Sequence, residues 1–397
     1  MKKDNGKIKE LLSRRVADIV VREDLEKKLM SGKKLRVKLG VDVARPDMHL
    51  GHAVVLWKLR EFQDLGHTVI FLIGDATTRI GDPTGQDKTR PLLTEEQINK
   101  NAETYIDQAG KILDIEKTEI HRNSEWFDEM SAFDFIKLLT MVTHSQLIAR
   151  EAFQERIKAG KEIFMHEMIY PIMQGYDSVV LRADVALHAD QLFNEHFGRM
   201  YQEKFGQEPQ TIMTVPMLIG LDGKHKMSKS LGNYIGITES PKSMYGKIMS
   251  LPDELLIDYF NLCTFVDAAE IFKMGELIKS RKLNPRDAKM RLAREIVSVY
   301  HNAKDADAAE ESFKNIFQKG VLPEEIPSLI LQLPGKLSDI LLGAELVSSR
   351  SEFRRLINSG GIDFNGVPVK DSHYIISAPG TARVGKLKFL KIEFKNQ

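Results

Sequence analysis

Leu35-Arg36-Val37-Lys38-Leu39-Gly40-Val41-Asp42 alternates apolar and polar residues and then gives way to a turn, so it reads as a β-strand. After a short connection, His49-Leu50-Gly51-His52 opens a run from Ala53 to Phe62 that reads as a helix. A helix N-terminus after a strand presents unpaired backbone N–H groups and a positive dipole end, which together attract phosphate. Gly51 lets a ligand approach the backbone, and the spacing of three brings His49 and His52 together on the first turn. Both imidazoles can then donate hydrogen bonds to phosphate oxygens as charge develops.

Further strand-like runs, His67 to Asp75, Lys117 to Asn123 and Ser178 to Val185, alternate with helical patterns. Such alternation predicts an α/β domain with a doubly wound parallel sheet, Rossmann-like and covered on both faces. Its ligands bind beyond the carboxyl ends of the strands, where Asp42, Asp75, Asp82 and Asn123 fall. From Ile235 to Phe317 the pattern turns helical, with apolar sets such as Leu255, Leu256, Tyr259 and Phe260. Gly320 to Pro334, with prolines at 323, 327 and 334, reads as a linker. Beyond it, helices starting at Lys336 and Ser351 and a hairpin about Asn365-Gly366 predict a small α+β unit.

A second polar segment, Lys226-Met227-Ser228-Lys229-Ser230, sits between Gly223 and Gly232. Its lysines are movable point charges that a loop can bring onto a polyphosphate. At 397 residues, 42% hydrophobic and 28% charged, the chain suits two or three domains of an ordinary soluble protein. No apolar run approaches the roughly 20 residues of a membrane span, and the first residues do not lead into a signal-peptide core; no membrane association and a cytoplasmic location are expected. The single cysteine, Cys263, excludes an internal disulfide, and no all-protein metal cage is visible. A net charge of +1 excludes a protein that coats nucleic acid with its whole surface. From Lys336 onward ten Lys/Arg face six Asp/Glu, a local basic surplus.

The two polar segments resemble the His-Ile-Gly-His and Lys-Met-Ser-Lys-Ser signatures of class I aminoacyl-tRNA synthetases. Lys38 to Asp42, Gly81-Asp82-Pro83-Thr84-Gly85, Tyr170 to Asp177 and Asp190-Gln191 narrow the resemblance to the tyrosyl-tRNA synthetases, in the bacterial subgroup with that lysine loop. The resemblance implies a catalytic domain over 1–232, an α-helical anticodon-binding domain over 233–325 and a small RNA-binding domain over 336–397. It implies that ATP, with Mg2+ and as substrate rather than tightly bound cofactor, activates L-tyrosine for transfer to the 3′ end of tRNA(Tyr), in a homodimer. His49, His52, Lys226 and Lys229 would be catalytic, with Arg90 adding charge; Asp42, Gly51, Asp190, Ser228 and Lys229 would hold ATP. Asp82, Asn123, Tyr170, Gln174, Asp177 and Gln191 would hold tyrosine, and Arg350, Arg354, Arg355 and Lys370 would contact RNA phosphates.

The chain departs from the family pattern at three places. Asp42-Val43-Ala44 replaces Asp-Pro-Thr, Gln86 replaces an often basic residue, and His188-Ala189 stands one residue short where two glycines and a Ser or Thr usually precede Asp190-Gln191. All three border the ATP half, which implies slower adenylation. Lys38 stands where relatives outside the subgroup carry a phenol-contacting tyrosine. Rival readings are an adenylating paralogue for another amino acid or carrier, a non-catalytic RNA-binding protein, and a tryptophan enzyme. Tyr170 and Asp177, with both signatures retained, weigh against them.

Overall fold

The computed structural model describes residues 5–81, 93–318, 327–385 and 388–395. The chain forms two compact units, Met1–Asp307 and Ala308–Gln397. In the first, β1 (Asp18–Val20), β2 (Arg36–Val41), β3 (Thr68–Ile73), β4 (Thr118–Arg122), β5 (Val185–His188) and β6 (Thr211–Thr214) make one sheet in the order β1-β6-β5-β2-β3-β4. Every pairing is parallel except that of β1 with β6. The chain runs from β2 outward through β3 to β4, then returns to lay β5 on the other side of β2. This reversal opens a crevice at the carboxyl ends of β2 and β5, the place where doubly wound sheets bind ligands.

The strand expected over Ser178 to Val185 is corrected. Ser178 to Val180 complete the helix Met165–Val180, Arg182 turns with φ 47°, and β5 begins only at Val185. Val179 and Leu181 are buried, so their apolar run reflects core packing rather than a strand. Neither β1 nor β6 was anticipated; β6 is four buried residues long, too short for a period to show.

The helices Pro241–Met249, Leu256–Cys263 and Pro285–Tyr300 follow the expected apolar sets, Ala268–Lys279 is a further helix between them, and all four lie within the first unit. Backbone bonds link the segment before them to the first signature: Leu50 N–H donates to the Ile235 carbonyl at 3.0 Å and Ile237 N–H to the Met48 carbonyl at 3.2 Å. The Arg15 guanidinium, buried, donates to the carbonyls of Leu262 at 2.9 Å and Thr264 at 2.6 Å. These long-range bonds explain why the stretch through Asp307 packs with the sheet.

In the second unit, β7 (Ser328–Leu331), β9 (Ile362–Phe364), β10 (Val367–Pro368), β12 (Gly380–Val384) and β13 (Lys388–Phe394) form a sheet ordered β10-β9-β12-β13-β7, and β8 (Gly335–Lys336) pairs with β11 (Ile375–Ile376). The helices Leu337–Gly343 and Arg350–Asn358 cover a core that includes Leu337, Leu341, Phe353, Ile362 and Ile392. The hairpin turns where expected, with Asn365 and Gly366 both in the left-handed region at φ 53° and 79°. The expected linker is corrected in part: Ser328–Leu331 is a strand parallel to β13, bounded by Pro327 and Pro334, while 319–326 lie outside the described residues.

Candidate active site

The crevice at the carboxyl ends of β2 and β5 holds a cleft of about 390 Å³. Twelve residues singled out in the sequence line it: Asp42, His49, Gly51, His52, Tyr170, Gln174, Asp177, Asp190, Gln191, Lys226, Ser228 and Lys229. His49 caps the helix Leu50–Asp64, and its backbone N–H donates to His52 Nδ1 at 3.2 Å. That bond leaves His52 Nε2 to carry the proton in the neutral ring. Burial, with His52 and Lys229 adding to it, lowers His49 to about 2; burial and Lys229 lower His52 to about 4. Both rings are therefore neutral at pH 7. They lie 3.9 Å apart, and a Cβ on Gly51 would come within 3.0 Å of the His49 ring.

The lysine loop meets this end of the cleft. Among the described residues Lys229 Nζ is buried without a hydrogen-bond partner, 5.7 Å from the centre of the Tyr105 ring, and burial lowers it to about 8. A buried ammonium without a hydrogen-bond partner suits an anionic ligand. Lys226 Nζ pairs with Asp190 at 2.9 Å. Burial alone would raise Asp190, but Lys226 outweighs it and holds the carboxyl below its usual range. Asn233 shapes the loop from inside: its Oδ1 accepts from Ser228 N–H at 2.8 Å and its Nδ2 donates to the Lys226 carbonyl at 3.2 Å.

The other end of the cleft is buried and carboxylate-rich. Helix Met165–Val180 places Tyr170, Gln174 and Asp177 on one face. The Tyr170 hydroxyl donates to Asp42 Oδ2 at 3.0 Å, and the Thr77 hydroxyl donates to Asp42 Oδ1 at 2.9 Å. Asp177, 2% exposed, accepts from Trp126 Nε1 at 3.0 Å. Burial raises its carboxyl to about 8 against the opposing charge of Lys38. Gln174 donates to Glu195 at 2.8 Å and accepts from Asn194 at 2.8 Å, and Asn194 also donates to Gln191 at 2.6 Å.

Asn123 is the exception among the described tyrosine-site residues, because it does not line the cleft. Fully buried, it accepts from Ala76 N–H at 2.9 Å and donates to the Thr77 hydroxyl at 3.2 Å, which makes it a support for the first turn of helix Asp75–Ile80. Asp82, Gln86 and Arg90 lie outside the described residues. Sequence reasoning missed Trp126, Tyr105, Asn233 and Glu195, residues whose roles depend on contacts far along the chain. Only Glu195 left a signal, a carboxylate one turn after Gln191 amid the apolar Leu192, Phe193 and Phe197.

In the second unit, Arg350 and Arg354 join Lys336 and His373 around a shallow depression, and Arg350 pairs with Asp339 at 3.0 Å. Arg355 and Lys370 are exposed and stand outside that rim.

A family model for class I tRNA synthetases (W and Y) matches residues 30–318, and one for the S4 domain matches 336–381. The chain belongs to the class I tRNA synthetases of this group. It is 47% identical to the tyrosine–tRNA ligase of Thermotoga maritima over 96% of both chains, and 48% identical to that of Moorella thermoacetica over 96% of this chain and 94% of the other. Within the class it therefore belongs to the tyrosine–tRNA ligase family. A C-terminally truncated mitochondrial tyrosyl-tRNA synthetase from Aspergillus nidulans shares the fold, with TM-score 0.64 and 23% identity over 80% of this chain and 95% of that one.

Proposed function

We propose that the cleft activates L-tyrosine with ATP and hands the tyrosyl group to the 3′ end of tRNA(Tyr). The tyrosine carboxylate attacks the α-phosphate, pyrophosphate leaves, and the terminal adenosine of the tRNA then displaces AMP. No covalent enzyme intermediate is required, so positioning and charge stabilisation carry the chemistry. Neutral His49 and His52 donate to the phosphates, with the His52 proton held on Nε2 by the His49 N–H. Lys229 meets the departing pyrophosphate. Lys226 joins it once the nucleotide ribose takes Asp190 from their ion pair. Mg2+ arrives with ATP as part of the substrate.

Asp177 reads the phenol hydroxyl, and Tyr170, Gln174 and Gln191 stand near the amino-acid backbone, with Asp82 completing the ammonium site. Arg350, Arg354, Arg355 and Lys370 contact tRNA phosphates, and the helices from Pro241–Met249 to Pro285–Tyr300 face the anticodon end. A homodimer acting in the cytoplasm is the reading's assembly and location. Phe133 at 77% and Ile136 at 51% exposure on helix Ala132–Leu139, with Met165 at 72%, offer apolar surface for a second copy. Among the described residues no helix is long and apolar enough to cross a membrane.

One observation carries the reading: a single cleft joins a buried ammonium, without a hydrogen-bond partner among the described residues, beside a neutral histidine pair to a buried carboxyl. Pyrophosphate exchange into ATP, run with each amino acid in turn, tests it. Tyrosine alone is expected to support exchange, and exchange driven by tryptophan or by none of the amino acids would overturn it.

Ala44 lines the nucleotide side of the cleft without the hydroxyl that the family's threonine brings. Adenylation slower than in the Thermotoga maritima relative follows, with Ala44→Thr raising the rate of pyrophosphate release severalfold. Equal rates in the two wild-type enzymes assayed side by side would refute this.

A further inference from the structure

Behind the cleft, on helix Leu192–Lys204, Glu195 is 0% exposed and forms no part of the cleft wall. Its carboxylate gathers four partners. Gln174 Nε2 donates at 2.8 Å and Gln210 Nε2 at 2.8 Å, while Lys38 Nζ lies at 3.1 Å and His188 Nε2 at 2.7 Å. Lys38, Gln174 and His188 all line the cleft. Burial works to raise Glu195, but Lys38 and then His188 outweigh it and hold the group ionised.

Two of these partners bear on different parts of the proposed amino-acid site, although both reach the same carboxylate oxygen of Glu195. Lys38 comes from β2 and its charge acts on Asp177, the phenol end. Gln174 stands at the ammonium end, and its amide is oriented by Asn194 on one side and Glu195 on the other. A buried lysine keeps its charge and its place only with a partner of this kind. His188 adds an imidazole to the network.

We propose that Glu195 is a positioning residue for amino-acid selection, which ties Lys38 and Gln174 to one carboxylate so that the two ends of the substrate are read in register. It touches no substrate. The inference rests on reading the buried end of the cleft as the tyrosine site.

The test is pyrophosphate exchange with the full chain, as wild type, Glu195→Gln and Glu195→Asp. Gln keeps the size and loses the charge; Asp keeps the charge and shortens the reach, and it carries the test if the Gln variant does not fold. Both are expected to raise the tyrosine KM about tenfold or more while the ATP KM stays within about twofold. The preference for tyrosine over phenylalanine in kcat/KM should fall about as much. A folded variant with unchanged tyrosine KM and preference overturns the proposal, and so does an equal rise in both KM values, which marks a merely structural role. Failure of the tyrosine reading shows separately, as a wild type that does not use tyrosine; the same KM split is then read with whichever amino acid it activates, and a wild type active with none overturns both.

Discussion

Single groups set the chemistry. Asp177 is 2% exposed and accepts from Trp126 Nε1 at 3.0 Å, so a substrate lacking the hydroxyl leaves part of a buried carboxyl's hydrogen-bonding capacity unfilled. Tyrosyl-tRNA synthetases are the standard illustration of this kind of selectivity. Asp177→Asn is expected to raise the tyrosine KM about tenfold, ~1.4 kcal/mol, with the ATP KM little changed, as read by exchange kinetics. Lys229 titrates in a useful range, because burial lowers it to about 8. It loses its charge as pH rises through that value, so kcat/KM for ATP should fall above pH 8 in the free enzyme's profile. Lys229→Met should lower the whole profile and remove that inflection; a wild-type profile flat from pH 7 to 9 contradicts the assignment.

The histidines bear on stability as well as on phosphate. Both have folded pKa values depressed below the ordinary 6.5, so at lower pH the unfolded chain takes up protons that the folded chain refuses. Their contribution is intact above about 6.5 and is lost as pH falls, toward about 4 for His52 and about 2 for His49. His52→Asn should flatten the loss of thermal stability across that window, measured by calorimetry at stepped pH.

At the scale of elements, the lysine loop depends on a bracket rather than on its lysines. Asn233 bonds the loop backbone from within, and a Cβ on Gly220 would lie 2.3 Å from Asn233 Nδ2. Gly220→Ala must therefore displace the bracket, and with it Lys226 and Lys229. The expected result is a fall in the exchange rate of about tenfold or more with tyrosine affinity, followed through Trp126 fluorescence, unchanged. Helix Met165–Val180 acts in the opposite sense, since its buried face delivers Tyr170, Gln174 and Asp177 in one rigid piece.

At the scale of the whole molecule, each compact unit has its own core, and the phosphate contacts proposed for Arg350 and Arg354 fall in the second. Replacing Arg350 and Arg354 together by Ala should raise the KM for tRNA and flatten its salt dependence, because fewer counterions are released, while tyrosine-dependent exchange continues at the wild-type rate. Charging assays at several salt concentrations, beside exchange assays, give the answer. The exposed Phe133 and Ile136 make a similar claim on assembly: sedimentation should show a dimer, and Phe133→Asp should shift it toward monomer.

The sequence by itself determined the sheet's central strands, the helical middle, the small α+β end and twelve of the residues around the cleft. The elements rest on local period and turn chemistry, and the residues on the two signatures and the family resemblance they carry, none of which needs knowledge of distant neighbours. Ser178 to Val185 was misread because a buried helix end and a buried strand share the same apolar run, and only packing tells them apart. The resemblance gives Asn123 a supporting place in the tyrosine site; its side chain lies behind the cleft wall, on the Ala76 N–H and the Thr77 hydroxyl and within 3.5 Å of Asp177. Tertiary structure alone decided that residues 48–50 and 235–237 lie side by side, that Lys229 Nζ is buried with no hydrogen-bond partner among the described residues, and that Glu195 joins Lys38 to Gln174. A burial, an ion pair or a shifted pKa is a sum over neighbours that the chain brings together only when it folds.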